Sequence, residues 1–225
     1  KLLTAKTASG EWDGIIMTHA SFEKIGMSPG FEEGFIREQI REYESLLTDM
    51  QAGADEGGKR LIKRIEKQKE GWEARLEELA NSEHKDSGLT FEDLGVDHLF
   101  IDEAHLFKNL ETPTKMGQVA GVQTSGSLRA FDLFMKSRYL DRHGHGTTFA
   151  TGTPVSNSMV EMYTMSRFLA PELLEERGIS HFDGWAAVFG DIVDTVELSP
   201  DSQSLRQNRR FARFVNLPEL LQIFH

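Results

Sequence analysis

The hydrophobic pattern of the chain begins with a short apolar segment, residues 14–18, that ends at the polar Thr18. A short run of β-branched and apolar residues followed by polar ones is typical of a buried strand that leads into a loop. From Phe35 to Met50 the apolar residues instead recur at alternating steps of three and four, with charged residues between them. This periodicity predicts an amphipathic helix.

A second helical pattern follows Gly53 and the glycine pair at positions 57 and 58, and it carries apolar residues from Ile62 to Leu79. Two amphipathic runs separated by glycines predict an antiparallel helical hairpin, which we interpret as an insertion over residues 30–88. Its charge-rich flanks are typical of a solvated coiled-coil arm, and a partner-binding arm is the alternative.

Two further strands are predicted, and each leads directly into a polar segment. Residues 96–101 form a compact apolar run that meets the Asp-Glu-Ala-His sequence at 102–105, and residues 147–151 run into a Gly-Thr-Pro sequence where regular structure must break. Between them, residues 112–127 read as loop and residues 128–140 as helix. The same order of strand and polar end therefore occurs twice.

A capping box, Ser158 with Glu161 three residues later, predicts the start of another helix, which should run to Leu169 and end before Pro171. Strands that alternate with helices predict an α/β domain with a mainly parallel sheet and flanking helices. Ligands of such sheets bind beyond the carboxyl ends of the strands, so the polar ends at Thr18 and at residues 102–105 and 151–153 are expected to converge. Beyond Pro171 the pattern is interpreted as helical, with Phe182, Trp185 and Phe189 as core.

Composition narrows the class of protein. With 225 residues, 39% hydrophobic and 27% charged, the chain is long enough to bury a core and is not of the disordered class. No apolar run reaches the roughly 20 residues that a membrane-spanning helix needs. The absence of cysteine excludes disulfides and thiolate metal sites, and it is compatible with the cytoplasmic location that we expect. Because the net charge is −11, any contact with a polyanion such as DNA must be local.

The strongest candidate chemistry lies at Asp102 and Glu103, two adjacent carboxylates at the end of a buried strand. Such groups are costly to hold unless a cation or a proton transfer uses them. In phosphoryl-transfer sites one acid holds magnesium and a neighbouring group orients or deprotonates water. His105 could exchange a proton near neutral pH and report on the phosphate. The alternative is a strand end followed by a helix start, where acidic residues are favoured.

Residues 100–109, with the Asp-Glu-Ala-His sequence at 102–105, are followed by Thr-Gly-Thr-Pro at 151–154 and by Glu-Met-Tyr at 161–163. In this order and spacing they resemble motifs II and III of the Swi/Snf-like ATPases of helicase superfamily two, which include DEAH-box-like sequences. Residues 15–22 are partly similar to the strand that precedes motif II. Residues 211–220 resemble helicase-like parts of large bacterial and phage proteins that also carry an adenine DNA methyltransferase.

The resemblance implies the first RecA-like lobe of a DNA-dependent ATPase, with residues 1–29 and 89–170 as its core and residues 171–225 as a helical extension. It implies ATP and magnesium as cofactors, with Asp102 on magnesium and Glu103 on water. His105 would be catalytic, and coupling would fall to Thr151, Gly152 and Thr153. Candidate DNA contacts are Thr18, Ser21, Lys108, Asn109, Arg206, Arg209, Arg210 and Arg213. The expected partners are double-stranded DNA, the other helicase lobe and a methyltransferase domain, with no membrane.

One element of such a site is not recognisable in the sequence. A nucleotide site of this kind needs a glycine-rich loop with a lysine and a hydroxyl. Residues 53–60 have the Gly-x-x-x-x-Gly-Lys spacing, but Arg60 replaces the hydroxyl and the acids at 55 and 56 would repel phosphate. We therefore interpret residues 53–60 as the hairpin turn. The chain is expected to be a piece of a larger polypeptide that would hydrolyse little ATP alone.

Several weaker signals leave alternatives open. The four arginines at 206, 209, 210 and 213 fall at helical spacing, and a solvated or internally paired face is the alternative to a DNA contact. His143 and His145 could join Asp102 or His105 in a metal-hydrolase site, although histidines in such a loop are more often exposed turn residues. Three functions remain: an ATPase lobe, a catalytically silent interaction or regulatory module with the same fold, and a metal-dependent hydrolase.

Overall fold

The computed structural model describes residues 12–51, 56–81, 88–117, 119–122, 125–156, 158–198 and 205–223. Its helices are α1 (His19–Phe22), α2 (Pro29–Gln51), α3 (Glu56–Asn81), α4 (Leu128–Arg142), α5 (Val160–Leu169), α6 (Pro171–Glu176), α7 (Phe182–Phe189) and α8 (Leu217–Ile223). Its strands are β1 (His98–Asp102), β2 (Val119–Ala120), β3 (Gly146–Ala150), β4 (Gly190–Leu198) and β5 (Leu205–Phe214). The predicted α/β class is confirmed.

The strands form two small sheets. β1 pairs with β3 in a short parallel two-stranded sheet, so the two strands with polar carboxyl ends are neighbours, as predicted. In the other sheet β5 lies in the middle, parallel to β2 and antiparallel to β4. The predicted parallel sheet is therefore present with two strands, and a separate mixed sheet is formed by β2, β4 and β5.

The chain divides into two compact units. The first comprises residues 1–100 and 131–148, and the second comprises residues 101–130 and 149–225. β1 and β3 both begin in the first unit and end in the second, so the polar segments that follow these strands belong to the second unit.

The core of the first unit is aromatic and includes the base of the helical hairpin. Helices α2 and α3 pack on each other, as the sequence predicted. Phe35 of α2 and Trp72 of α3 both contact Phe131 of α4, at ring-centroid distances of 5.6 and 4.5 Å. Tyr43 and Ile65 are buried along the hairpin itself. The hairpin is therefore held to its unit by buried aromatic contacts, which burial of apolar area stabilises.

A lysine is buried in this unit. Lys136 of α4 is fully buried, and its Nζ donates to Asp132 Oδ2 at 2.7 Å and to the Phe22 carbonyl at 3.1 Å. The ammonium also lies 4.2 Å from the centre of the Phe22 ring, a cation–π geometry. Burial lowers the pKa of Lys136 and raises the pKa of Asp132, and their mutual attraction opposes both shifts.

The second unit is built around α7. Phe182, Trp185 and Phe189 are fully buried, which confirms their prediction as core. Tyr163 of α5 packs edge-on to Phe182, and its hydroxyl donates to the Ser180 carbonyl at 2.6 Å. This cluster fixes α5, which carries part of the candidate site.

The first predicted strand is wrong. Residues 14–18 form no strand, and Ile15 and Ile16 are exposed, Ile16 completely. Within the described residues no strand pairs with the backbone of this segment, and an apolar β-branched run becomes a strand only where a neighbouring strand accepts its hydrogen bonds.

Among the helices of the described residues, none combines the length and the apolar character that a membrane span requires.

The helical interpretation beyond Pro171 is wrong for residues 190–198 and 205–214. Helices α6 and α7 are as expected, but β4 and β5 follow as an antiparallel pair. Ile192, Val193, Thr195 and Val196 are β-branched and favour a strand, although β4 does not end in an acidic residue as β1 does. Helix α5, which ends at Leu169 before Pro171, is confirmed.

Candidate functional site

The two acids predicted for chemistry lie at the carboxyl end of β1. Asp102 is the last residue of the strand, and its Oδ1 accepts a hydrogen bond from the Glu103 backbone N–H at 2.9 Å. Both residues are exposed. Two carboxylates that are open to solvent at a strand end can each accept a ligand or a proton.

Glu103 has a left-handed backbone, with φ 51° and ψ 44°. This region disfavours residues with a Cβ by about 1–2 kcal/mol. The next residues form a 3₁₀ turn, Ala104–Phe107, whose Ala104 and Phe107 are buried and anchor the turn. Strain of this kind persists where the surrounding structure enforces it, and it clusters at functional sites.

His105 connects the two polar segments. Its Nδ1 lies 3.1 Å from Glu103 Oε2 and 3.3 Å from Thr151 Oγ1. Thr151 Oγ1 also accepts from the Thr153 backbone N–H at 3.2 Å. The imidazole therefore touches one residue from the segment after β1 and one from the segment after β3, so the predicted convergence of these two segments is confirmed.

A second link joins the same two segments through Lys108. Its Nζ lies 2.9 Å from Glu161 Oε1 and donates to Ser156 Oγ at 2.5 Å. The other carboxylate oxygen, Glu161 Oε2, accepts from the Ser156 backbone N–H at 2.6 Å. The side chains of Lys108 and Glu161 are only 17% and 10% exposed, so the pair is shielded from water. We call Lys108, Ser156 and Glu161 the lysine clasp.

The predicted capping box is wrong in its pairing. The Ser158 hydroxyl accepts from the Val160 N–H at 3.2 Å, but the Glu161 carboxylate reaches Ser156 instead of the Ser158 N–H. Glu161 therefore serves the lysine clasp, where it accepts both from the Lys108 ammonium and from the Ser156 backbone N–H.

A cavity of about 240 Å³ lies beside the clasp, lined by Lys108, Asn109, Gly121, Ser158, Val160, Glu161 and Thr164. Gly121 has φ +90°, and a Cβ at this position would overlap the Ser158 hydroxyl. Glycine is therefore required where this turn approaches the start of α5.

The structure separates the candidate DNA contacts into different settings. Thr18 caps α1 by accepting from the Ser21 N–H at 3.3 Å, and the two hydroxyls lie 3.0 Å apart. Lys108 is engaged in the clasp, and Asn109 lines the cavity beside it.

The four arginines do not share a helical face, because they lie on strand β5. The pairing register places Arg213 opposite Asp191, Arg209 opposite Asp194 and Arg206 opposite Glu197, while Arg210 faces Val193. Arg213 Nε also donates to Asp191 Oδ2 at 2.9 Å. Opposite charges across a sheet attract, so the alternative of an internally paired face is supported for Arg213 by its ion pair with Asp191.

The described residues contain no group of three histidine or acidic side chains that could hold a metal ion on protein ligands alone. His143 Nδ1 instead lies 2.7 Å from the Tyr139 carbonyl, and its ring packs on Tyr139 at 4.2 Å. The metal-hydrolase alternative therefore has no cluster in this part of the chain. A magnesium ion held by one carboxylate and by nucleotide phosphates needs no such cluster.

Comparison with known sequences identifies the family. The probable helicase domain family matches residues 2–225, nearly the whole chain. The chain belongs to this family. Among curated proteins it is 31% identical over 157 residues to the defense against restriction protein B of Escherichia phage P1.

That match covers 64% of the chain and 7% of the phage protein, so the chain spans a small part of the relative's length. No solved structure matches the chain. Membership of the probable helicase domain family agrees with the helicase resemblance of residues 102–105 and 151–154 at the level of the family.

Proposed function

We propose that the chain is part of a DNA-dependent ATPase of the Swi/Snf-like, DEAH-box-like type, acting as a helicase or translocase. The observation that carries the proposal is the position of His105, which contacts both Glu103 and Thr151. Coupling between the segments after β1 and β3 needs a residue that contacts both strand ends, and His105 contacts both. Family membership supports a helicase-related origin.

Asp102 is the residue proposed to hold magnesium. Its carboxylate is exposed at the strand end, and oxygen donors of this kind suit magnesium, which keeps several ligands from water and phosphate. Magnesium-bound ATP would supply the phosphoryl group that is transferred to water. Glu103, which is 60% exposed at its side chain, would orient or deprotonate that water.

Coupling would pass from His105 through Thr151 to the loop that contains Gly152 and Thr153. The lysine clasp holds the far end of the same loop to α5 through Ser156 and Glu161. Fixing the loop at both ends limits the positions that Thr151 can adopt, which favours a defined response to the state of His105.

The remaining partners follow from the same proposal. The ATPase would require a phosphate-binding loop and a second helicase lobe, which we place elsewhere in the parent polypeptide, together with an adenine methyltransferase domain. Double-stranded DNA is the proposed substrate. The name of the phage relative refers to defense against restriction and is consistent with a DNA-directed role.

The test is DNA-stimulated ATP hydrolysis by the full parent polypeptide, compared with the Glu103→Gln variant. This change keeps the shape of the side chain and removes the carboxylate that handles water. We expect turnover to fall by about two orders of magnitude or more, with ATP still bound. Equal activity of both proteins, or none in either, would instead favour a catalytically silent interaction or regulatory module.

A further inference from the structure

The outer half of helix α3 is basic in an otherwise acidic chain. Residues 59–69 contain six lysines and arginines and a single acid, Glu66, whereas the whole chain has a net charge of −11. From residue 70 onward the same helix becomes acidic, with exposed Glu70, Glu77 and Glu78. The charge of α3 therefore changes sign along its length.

Three of these basic residues, Arg60, Lys63 and Lys67, are exposed and share one face of the helix. At 100° per residue they lie within about 60° of each other around the axis, and they span about 10 Å along it. We call these three residues the basic stripe.

The packing of the hairpin holds the basic stripe toward solvent. Ile65 and Trp72 of the same helix are buried against the other side, with Trp72 packed on Phe131 of α4. Lys69 is not part of the stripe, because its ammonium pairs with Glu44 of α2 at 3.1 Å and with Glu73 at 3.2 Å. The stripe is thus a regularly spaced row of cations on a rigid helix, presented away from the core.

We propose that the basic stripe binds the phosphate backbone of duplex DNA. A rigid row of cations fits a regularly spaced row of phosphates, and a net negative protein can bind a polyanion only through such a local patch. The acidic residues from Glu70 onward would repel phosphate, which confines the DNA to the outer half of the hairpin. The choice of DNA rests on the proposed function, whereas the position of the contact rests on the hairpin itself.

The experiment measures binding of a fluorescent DNA duplex to the 225-residue chain over a range of salt concentrations, without nucleotide. The stripe variant is Arg60→Gln/Lys63→Gln/Lys67→Gln. The control, Lys24→Gln/Arg37→Gln/Arg41→Gln, removes three other exposed basic residues of the same unit and changes the net charge equally. Thermal unfolding checks that both variants fold.

Each phosphate contact contributes about 0.9 to the slope of log K against log salt, so the stripe variant should lower that slope by about 2.7. The control should change it by less than about 1. Equal losses in the two variants, or no loss in the stripe variant, would overturn the proposal. Tighter stripe-dependent binding of single-stranded RNA than of the duplex would overturn the assignment to duplex DNA.

This outcome is independent of the ATPase test. Binding that depends on the stripe in a chain whose parent hydrolyses no ATP would support the stripe and reject the ATPase. DNA-stimulated hydrolysis with unchanged duplex binding by the stripe variant would support the ATPase and reject the stripe.

Discussion

Lys108 and Glu161 form a shielded ion pair, with 2.9 Å between Nζ and Oε1, that joins the turn after β1 to the start of helix α5. The two residues are 53 positions apart in the sequence, and Ser156 lies between them in the network. A pair of this kind stabilises the fold less through its own attraction than through the cost of breaking it, because a lone charge would remain in a poorly hydrated site.

We predict that Lys108→Met and Glu161→Gln are each destabilising by about 2 kcal/mol, and that their effects are coupled by about 1–3 kcal/mol. A double-mutant cycle measured by urea unfolding of the 225-residue chain tests this. The exposed pair Arg37 and Glu33, 2.7 Å apart on helix α2, is the matched control and should give a coupling of only about 0.3–0.5 kcal/mol. Additive effects of the two clasp variants would contradict the prediction.

The Thr151 hydroxyl should matter for turnover more than for nucleotide affinity. Thr151→Val removes the oxygen that contacts His105 and accepts the Thr153 N–H, so the link between the two strand ends is lost. If the proposed ATPase role is right, kcat of the parent polypeptide with DNA should fall about tenfold, the equivalent of one hydrogen bond, with KM for ATP unchanged. Thr151→Ser, which keeps the oxygen, should retain most activity. The same loss in Thr151→Ser would contradict the prediction, because that variant keeps the hydroxyl.

The strained backbone of Glu103 predicts that stability and function conflict there. Glu103→Gly removes the Cβ that the left-handed conformation disfavours, at the cost of a more flexible unfolded chain, so the net gain should be about 0.5–1 kcal/mol. Glu103→Gln keeps the Cβ and should leave stability within about 0.5 kcal/mol. Urea unfolding of both variants decides the matter. A glycine variant that is less stable than the glutamine variant would contradict the prediction, because relief of backbone strain would then not outweigh the loss of the side chain.

The parts of the site that follow from strand ends could be predicted from the sequence. Asp102, His105 and Thr151 lie where two apolar runs stop, and neighbouring parallel strands bring such ends together. The role of Glu161 could not be predicted, because a capping box and a long-range ion pair use the same residue, and only the folded chain brings Lys108 to it. The strand at residues 205–214 was missed because its arginines also fit a helical spacing, and pairing with β4 decided between the two.

The strand expected at residues 14–18 failed for a related reason. Its composition favours a strand, but strand propensity expresses packing against neighbouring strands, and the described residues offer Ile16 none. By contrast, the helical hairpin needed no distant partner to be recognised, because its periodicity is local. Elements that depend on long-range pairing therefore could not be predicted reliably from this sequence.

Lys136 was not singled out in the sequence, although its burial and its ion pair with Asp132 predict a large effect on stability. Its partner Asp132 lies one turn earlier on α4, and the carboxylates of Glu23 and Glu32 also act on both groups. Lys136→Met should destabilise the chain by about 3 kcal/mol, because Asp132 would remain in a partly buried site without its cation. Replacing both residues, with Asp132→Leu added, should recover part of that loss.

The burial of Lys136 also determines the direction in which the free energy of unfolding changes with pH. Because burial lowers the pKa of Lys136 below its usual value of 10.5, the folded chain releases this proton at a lower pH than the unfolded chain does. In the window between the folded pKa and 10.5 the unfolded state binds more protons, so the contribution of Lys136 to stability rises with pH. Lys69 is the control with the opposite sign, since hydrogen bonds to Glu44 and Glu73 raise its pKa, and its contribution is lost as pH rises through that value.

Urea unfolding of the 225-residue chain at several alkaline pH values measures these slopes. In the Lys136→Met variant, the free energy of unfolding should lack the increase with pH that Lys136 causes in the unmodified chain. In the Lys69→Met variant it should lack the decrease that Lys69 causes. That decrease is smaller, because the Lys69 ammonium is more hydrated and its pairs are screened by solvent. A Lys136→Met profile parallel to that of the unmodified chain would mean that Lys136 keeps an ordinary pKa in the folded state. The cation–π contact with Phe22 and the ion pair with Asp132 would then balance the cost of burial.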